Sequence, residues 1–203
     1  MFKQIIVTGI GTDIGKTIVS AILTEALQGS YWKPIQAGDL DASDSLKVKA
    51  LCSEHITILP ETYRLNKAIS PHAAANIDGI KIENIKIPSI NSNLIIEGAG
   101  GLMVPLNNDG LLYSDLIKEW NIPVILVSKH YIGSINHTLM TAEILKNKNI
   151  QVEGIIFVGD ENIPSESIIL KLTKLKYITR IPFVKEVTKE FIQKEAFKLT
   201  SKI

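Results

Sequence analysis

The sequence has a single cysteine, Cys52, so no disulfide can form within the chain and stability must come from a packed core. It has no apolar run long enough to cross a bilayer, and its opening residues, MFKQIIVTGIG, lack the long apolar stretch of a secretory leader. It has no excess of one charge: 22 Lys and Arg against 21 Asp and Glu leave a formal net charge of +1. That balance gives no electrostatic basis for a nucleic-acid or membrane-surface partner. These absences lead us to expect a cytoplasmic protein. No internal repeat or break in composition appears, so residues 1–203 read as one domain, long enough to bury a substantial core.

What is present is a series of short runs rich in Ile and Val, bounded by Gly or Pro. They are IIVT (5–8), LIIE (94–97), PVILVS (123–128) and VEGIIFV (152–158), with SYWKP (30–34) as a shorter strand end. None alternates with polar residues, the pattern of strands covered on both faces. Helical patterns lie between them. Residues 17–28 read TIVSAILTEALQ, with Gly29 as the stop. Residues 135–146 place Ile135, Leu139, Ala142 and Leu145 on one stripe. The polar stretch 83–93, broken by Pro88, reads as a loop, and 185–203 as a final helix. This alternation predicts an α/β fold of three layers, a mostly parallel sheet with helices on both faces.

The stretch GIGTDIGKT (9–17) joins the first strand to the first helix, the setting a phosphate-binding loop needs. Its glycines let backbone N–H groups turn toward an anion, and the helix N-terminus adds unpaired donors. Lys16 would set its ammonium on the β- and γ-phosphates, and Thr17 would offer its hydroxyl to Mg²⁺. A plain glycine turn is the alternative. The spacing is unusual, because Gly9 precedes Gly15 by one residue more than in the common loop, and Gly11 does not restore it.

Glu97 ends a buried run and leads into Gly98-Ala99-Gly100-Gly101, at the rim where open α/β sheets bind ligands. Lys33, stopped by Pro34, points to the same rim, although a solvated strand-end lysine explains it equally. Asp44 by itself reads as an acid at a helix start. No Ser-His-Asp or Cys-His set is evident. His55 and His130 lack metal-ligand spacing, and His72 and His137 read as packing or capping residues.

In this order, GIGTDIGKT, YWKPIQAG, Ser43-Asp44 and EGAGGLMVPL resemble the dethiobiotin synthetases. RLNKAISPHAAA and GSINHTLMTAEIL resemble two further segments of that family, and the likeness runs from residue 3 to about residue 184. The family's phosphate loop has the same longer spacing, which accounts for the anomaly. The resemblance implies a P-loop NTPase type of fold and a cyclo-ligase that uses ATP and Mg²⁺. The reaction implied closes the ureido ring of dethiobiotin from 7,8-diaminopelargonic acid and CO₂. One amine captures CO₂ as a carbamate, a carbamate oxygen attacks the γ-phosphate, and the second amine closes the ring and expels phosphate.

By the same resemblance, Lys33 and Lys16 are the catalytic residues, and Thr17, Asp44 and Glu97 hold Mg²⁺. Asp13, Ile14, Gly15, Lys16, Thr17 and Ile18 wrap the phosphates. Asp44, Glu97, Gly98, Ala99 and Gly100 lie along the nucleotide, and Val158, Gly159, Pro182, Phe183 and Val184 lie on its base side. Thr12 and Ala37 meet the substrate. Ile135 and Asn136 open a helix that receives the substrate carboxylate across a homodimer interface; Asn136 also reads as an N-cap. Two places depart from the family pattern. Ala37 stands where a small hydroxyl residue is common. Val158-Gly159-Asp160 stands where the family has an adenine-reading asparagine, which leaves base preference open, and the acidic residue expected later is Glu186 or Glu190. Two other functions fit a phosphate loop. Partitioning-type switch ATPases carry an early Lys-Gly-Gly where this chain has Gly9-Ile10-Gly11. A non-catalytic nucleotide-binding dimer would have no need of Lys33.

Overall fold

Ile5, Ile6 and Val7 are all fully buried, yet they divide between two apolar layers. Ile5 and Val7 join one cluster and Ile6 the other, as alternating side chains of a strand covered on both faces must. The computed structural model describes residues 2–203. Its strands are β1 (Gln4–Gly9), β2 (Ser30–Trp32), β3 (Ile35–Ala37), β4 (Thr57–Leu59), β5 (Tyr63–Leu65), β6 (Leu94–Glu97), β7 (Val124–Lys129), β8 (Val152–Val158) and β9 (Tyr177–Ile181). Its α-helices are α1 (Lys16–Leu27), α2 (Asp44–Leu51), α3 (Pro71–Ile77), α4 (Tyr113–Trp120), α5 (Ser134–Asn147), α6 (Ile163–Thr173) and α7 (Lys189–Leu199).

Seven strands form one sheet in the order β4-β2-β6-β1-β7-β8-β9, and every pairing in it is parallel. β3 and β5 form a separate two-stranded pair. One layer is built on Val19, Ile22 and Leu23 of α1, Val48 of α2 and Ile192 of α7. The other draws on Ala74 of α3, Leu116 of α4, Leu145 of α5 and Ile169 of α6. This is the expected α/β architecture. Because the strands run one way, the loops after β1, β2, β6, β7, β8 and β9 meet at one edge.

The structure corrects several local expectations. The run 30–34 is divided: β2 stops at Trp32 and the chain enters the small sheet at Ile35, leaving Lys33-Pro34 as the bend between. At the end of α1 the left-handed residue is Gln28 (φ 47°), not Gly29, whose N–H donates to Thr24 O at 3.1 Å. Of the expected stripe on α5, Leu145 is buried while Ile135, Leu139 and Ala142 are only half-buried, and the other buried residues are Ser134, Thr138 and Thr141. Small hydroxyl residues let this helix approach the sheet closely. Thr138 Oγ1 lies 2.8 Å from Ser128 Oγ of β7 and donates to Ser134 O, so its polar atom is satisfied. Asn136 is not the N-cap of α5; Gly133 is, at φ 97°. Residues 83–93 contain no helix or strand, as expected. The final helix starts later than residue 185, at Lys189, where Thr188 accepts from Phe191 N at 3.2 Å.

The far side of the sheet is tied by Glu166 of α6, which receives Arg180 Nε of β9 at 2.7 Å and pairs with His130 Nε2 at 2.9 Å. Burial opposes the Glu166 charge, but Arg180 and then His130 outweigh it and hold its pKa below 4.5. A carboxylate whose folded pKa is depressed stabilises the fold above its ordinary value and loses that contribution as pH falls through the folded one. We therefore expect the melting temperature to drop as the pH falls below 4.5. Glu166→Gln should show a lower melting temperature near neutrality and a shallower acid decline in the same scans.

Candidate active site

The loop after β1 wraps the N-terminus of α1. Gly15 has φ 93°, a left-handed conformation, and a Cβ there would come within 3.1 Å of Val158 Cγ1. A Cβ on Gly9 would come within 2.1 Å of Ile14 Cδ1. The longer loop thus folds Ile14 down into the core over Gly9, where it is 3% exposed. Lys16 follows as the first residue of α1, and its ammonium donates to Gly11 O at 2.6 Å. Burial lowers the Lys16 pKa to about 8, with Lys33 adding to the shift and Glu97 opposing it.

Glu97, 1% exposed, is the centre of the site. Its Oε1 accepts from Thr17 Oγ1 at 2.9 Å and Lys33 Nζ at 3.1 Å, and its Oε2 from Tyr31 OH at 2.8 Å. Lys33 also pairs with Asp44 Oδ2. Burial works against the Lys33 charge, but Glu97 and Asp44 override it and raise its pKa above the usual value. For Asp44 burial is likewise outweighed, by Lys33, and its pKa is lowered. Asp44 opens α2 with Ser43 as the N-cap, so helix start and charged partner coincide. Tyr31 and Lys47 were not singled out in the sequence. Tyr31 looks like any strand aromatic, and only the fold shows its hydroxyl on Glu97. Lys47, half exposed, lies 3.4 Å from Asp44 Oδ1, one helical turn along α2. Replacing Tyr31 by Phe leaves a buried carboxylate oxygen without its donor, at a cost of about 1–3 kcal/mol. Urea unfolding of Tyr31→Phe should register that loss.

Two cavities adjoin this cluster, and a third lies on the other side of the loop. The first, of about 370 Å³, is lined by Thr12, residues 13–18, Lys33, Asp44, Lys47, Glu97 and Gly100. The second, of about 530 Å³, shares Thr12, Asp13, Lys33, Asp44 and Lys47 and extends past Gln36, Ala37, Ser70 and Ala99. The third, of about 150 Å³, lies beyond the loop between α1, Lys129, Val158 and the segment Ile181–Val184. The predicted residues therefore divide: residues 14–18 and Glu97 line the first, Ala37 and Ala99 the second, Thr12, Lys33, Asp44 and Gly100 both of these, and Val158, Pro182, Phe183 and Val184 the third. Gly98 and Gly159 line none of the three; a Cβ on Gly98 would meet Tyr113 at 3.1 Å and one on Gly159 would meet Phe183 at 3.2 Å. Glu186 and Glu190 line none of them either. Ile135 and Asn136 also lie outside them. Asn136 is exposed at the start of α5, its amide donating to Met140 Sδ at 3.4 Å.

A hydroxyl and two carboxylates beside phosphate-loop amides suit a hard cation such as Mg²⁺. Among the described residues no group of three or more His, Cys, Asp and Glu is placed to hold a metal. Mg²⁺ does not need one, since it takes one or two carboxylates and completes its shell with phosphate and water. No helix among the described residues is long and apolar enough to cross a membrane.

A family model described as an AAA domain matches residues 3–191. A curated relative from Christiangramia forsetii, an ATP-dependent dethiobiotin synthetase, is 54% identical over 201 residues, covering 96% of this chain and 96% of the relative. Proteins of the same name from Cytophaga hutchinsonii and Rhodopseudomonas palustris are 51% and 46% identical, covering 97% and 98% of this chain and 97% and 95% of theirs. Among solved structures, the septum site-determining protein MinD of Pyrococcus horikoshii superposes with a TM-score of 0.57 at 17% identity, over 100% of this chain and 90% of that one. MinD of Aquifex aeolicus gives 0.55 at 13%, over 99% and 98%. At such identity these two share the fold with this chain and no more.

Proposed function

The chain belongs to the family of ATP-dependent dethiobiotin synthetases, and on that premise we propose that it closes the ureido ring of dethiobiotin in biotin biosynthesis. The observation that carries this reading is Lys33, buried between Asp44 and Glu97, where the phosphate cavity meets the wider cleft. A cation at that junction can serve anions from both sides. On one side is the γ-phosphate, on the other the carbamate formed from 7,8-diaminopelargonic acid and CO₂. The carbamate oxygen forms a bond to γ-phosphorus as the bond to ADP breaks. The second amine then attacks the carbamoyl carbon, the C–O bond to phosphate breaks, and the amine proton is released to solvent.

Lys16 and the amides of residues 13–18 hold the phosphates, and Lys33 neutralises charge that builds up between nucleotide and carbamate. Thr17, Asp44 and Glu97 would hold Mg²⁺, which when bound supplies charge neutralisation to the phosphate oxygens. Thr12 and Ala37 line the substrate cleft, where Ala37 can offer only backbone groups. No protein nucleophile is needed, and the work is positioning and electrostatics.

We also read the enzyme as a single-domain, cytoplasmic homodimer. Support comes from α5, whose opening turn lies outside the cleft of its own chain. Around it Tyr131, Ile132, Met140 and Met103 are exposed apolar side chains, Ile132 completely so. A partner's α5 would present N-terminal amides to the substrate carboxylate. The reading is tested by supplying isotopically labelled bicarbonate with the diamine and Mg-ATP. Dethiobiotin carrying the label at its ureido carbon supports it, and product without the label, or no product, refutes it.

A further inference from the structure

Lys47 carries an inference that rests on this reading and extends it. We propose that Lys47 is a further catalytic residue, whose ammonium grips the γ-phosphoryl group as it passes from nucleotide to carbamate. The first cavity is lined by three lysines, Lys16, Lys33 and Lys47, and three acids, Asp13, Asp44 and Glu97. Two of the lysines are committed. Lys16 donates to Gly11 O at 2.6 Å, and Lys33 holds both Asp44 and Glu97. Among the described residues the Lys47 ammonium has one partner, Asp44 Oδ1, at a long 3.4 Å, and half of its side chain is exposed. An ammonium carries three donors on a flexible stem, which leaves Lys47 with donors to offer a ligand.

The place of Lys47 on its helix does little for the fold. It lies in the first turn of α2, where a cation meets the positive end of the helix dipole. Its exposed pair with Asp44, three residues back, adds little to stability. Lys49, two residues on, is exposed and lines neither cavity, whereas Lys47 lines both. The reaction carries one group across that boundary. The γ-phosphorus loses its bond to the ADP oxygen in the first cavity and gains one to the carbamate oxygen on the side of the second. A cation on both walls stays within reach of the phosphoryl oxygens throughout. Lys33 is buried at this junction and Lys47 stands on its solvent side. Lys47 donates hydrogen bonds and keeps its proton, so its work is charge neutralisation. Without it the three acids of the first cavity face two cations while further anions enter.

Lys47→Met removes the charge and keeps the stem; Lys47→Arg keeps the charge. Calorimetry of the full chain with Mg²⁺ and either ADP or the imido analogue of ATP reads the γ-phosphate contact without any chemistry. Lys47→Met should weaken the analogue by about 10–100-fold, the worth of a hydrogen bond to a charged group, and leave ADP within about fivefold. Its turnover should fall by about 10–100-fold, less than for Lys33 because water reaches this ammonium, and Lys47→Arg should recover most of both losses. A fall in turnover alone, recovered by Lys47→Arg, also supports the proposal, the contact then being made only in the transition state. Analogue binding and turnover both within about fivefold of wild type would overturn it, since an exposed pair alone accounts for that much. Equal weakening of ADP and the analogue would also overturn it, showing that Lys47 acts through Asp44. The assigned reaction fails separately. Wild-type turnover that ignores the diamine sinks that reaction and leaves the analogue titration to judge Lys47. Diamine-dependent turnover that is unchanged in Lys47→Met, with unchanged analogue binding, sinks the Lys47 inference alone.

Discussion

Lys33→Ala should lower the turnover rate by about 10²–10³-fold or more, the scale seen when one charge-stabilising donor is removed from an active site. The expectation follows from position. Lys33 lines both the cavity beside the loop after β1 and the wider cleft while being almost fully buried; Lys47 lines both but is half exposed. Water cannot replace it at equal strength. The substitution also carries a structural cost, because it leaves Glu97 and Asp44 without their cation. Breaking a buried pair by removing one partner costs about 3–5 kcal/mol. Glu97 keeps Thr17 and Tyr31 as donors, which limits the damage. Rate and melting temperature should therefore be measured together. A folded Lys33→Ala protein, with near-normal turnover, would remove Lys33 from its assigned role.

Glu97→Gln should be as damaging, for a different reason. Both carboxylate oxygens now accept hydrogen bonds, from Thr17, Lys33 and Tyr31. An amide presents one acceptor and two donors, so on one side it sets donor against donor. It also removes a charge from the group that would hold Mg²⁺. We expect turnover to fall by about 10²–10³-fold, and the tightening of ADP binding by Mg²⁺ to disappear. Calorimetry with and without Mg²⁺, on wild type and variant, checks the second point independently of catalysis. If Mg²⁺ tightens ADP binding equally in both proteins, Glu97 is not a magnesium ligand.

Much of the site could be read from residue order because a parallel sheet turns order into place. Strand ends that are far apart in sequence share one edge, so GKT after β1, Lys33 after β2 and Glu97 at the end of β6 had to approach one another. Composition and spacing alone left Lys33 and Asp44 ambiguous, since a lysine after a strand and an acid at a helix start each have ordinary explanations. The family likeness favoured the functional reading, and the fold puts the two in contact. Tyr31 was illegible because the hydroxyl of a strand tyrosine carries no mark of its partner. The buried face of α5 was read only in part: Leu145 of the expected stripe is fully buried, but periodicity weighs apolar side chains, and this helix also packs through Ser134, Thr138 and Thr141. The end of α1 was placed one residue too far because Gln28, expected inside the helix, takes the left-handed turn that ends it.

The central claim is that phosphoryl transfer here is coupled to the diamine. It is tested most directly by ADP release from purified protein with Mg-ATP and bicarbonate, with and without 7,8-diaminopelargonic acid. Release that requires the diamine is the result we predict. Release at the same rate without it would contradict the account and favour a switch-type ATPase on the same fold.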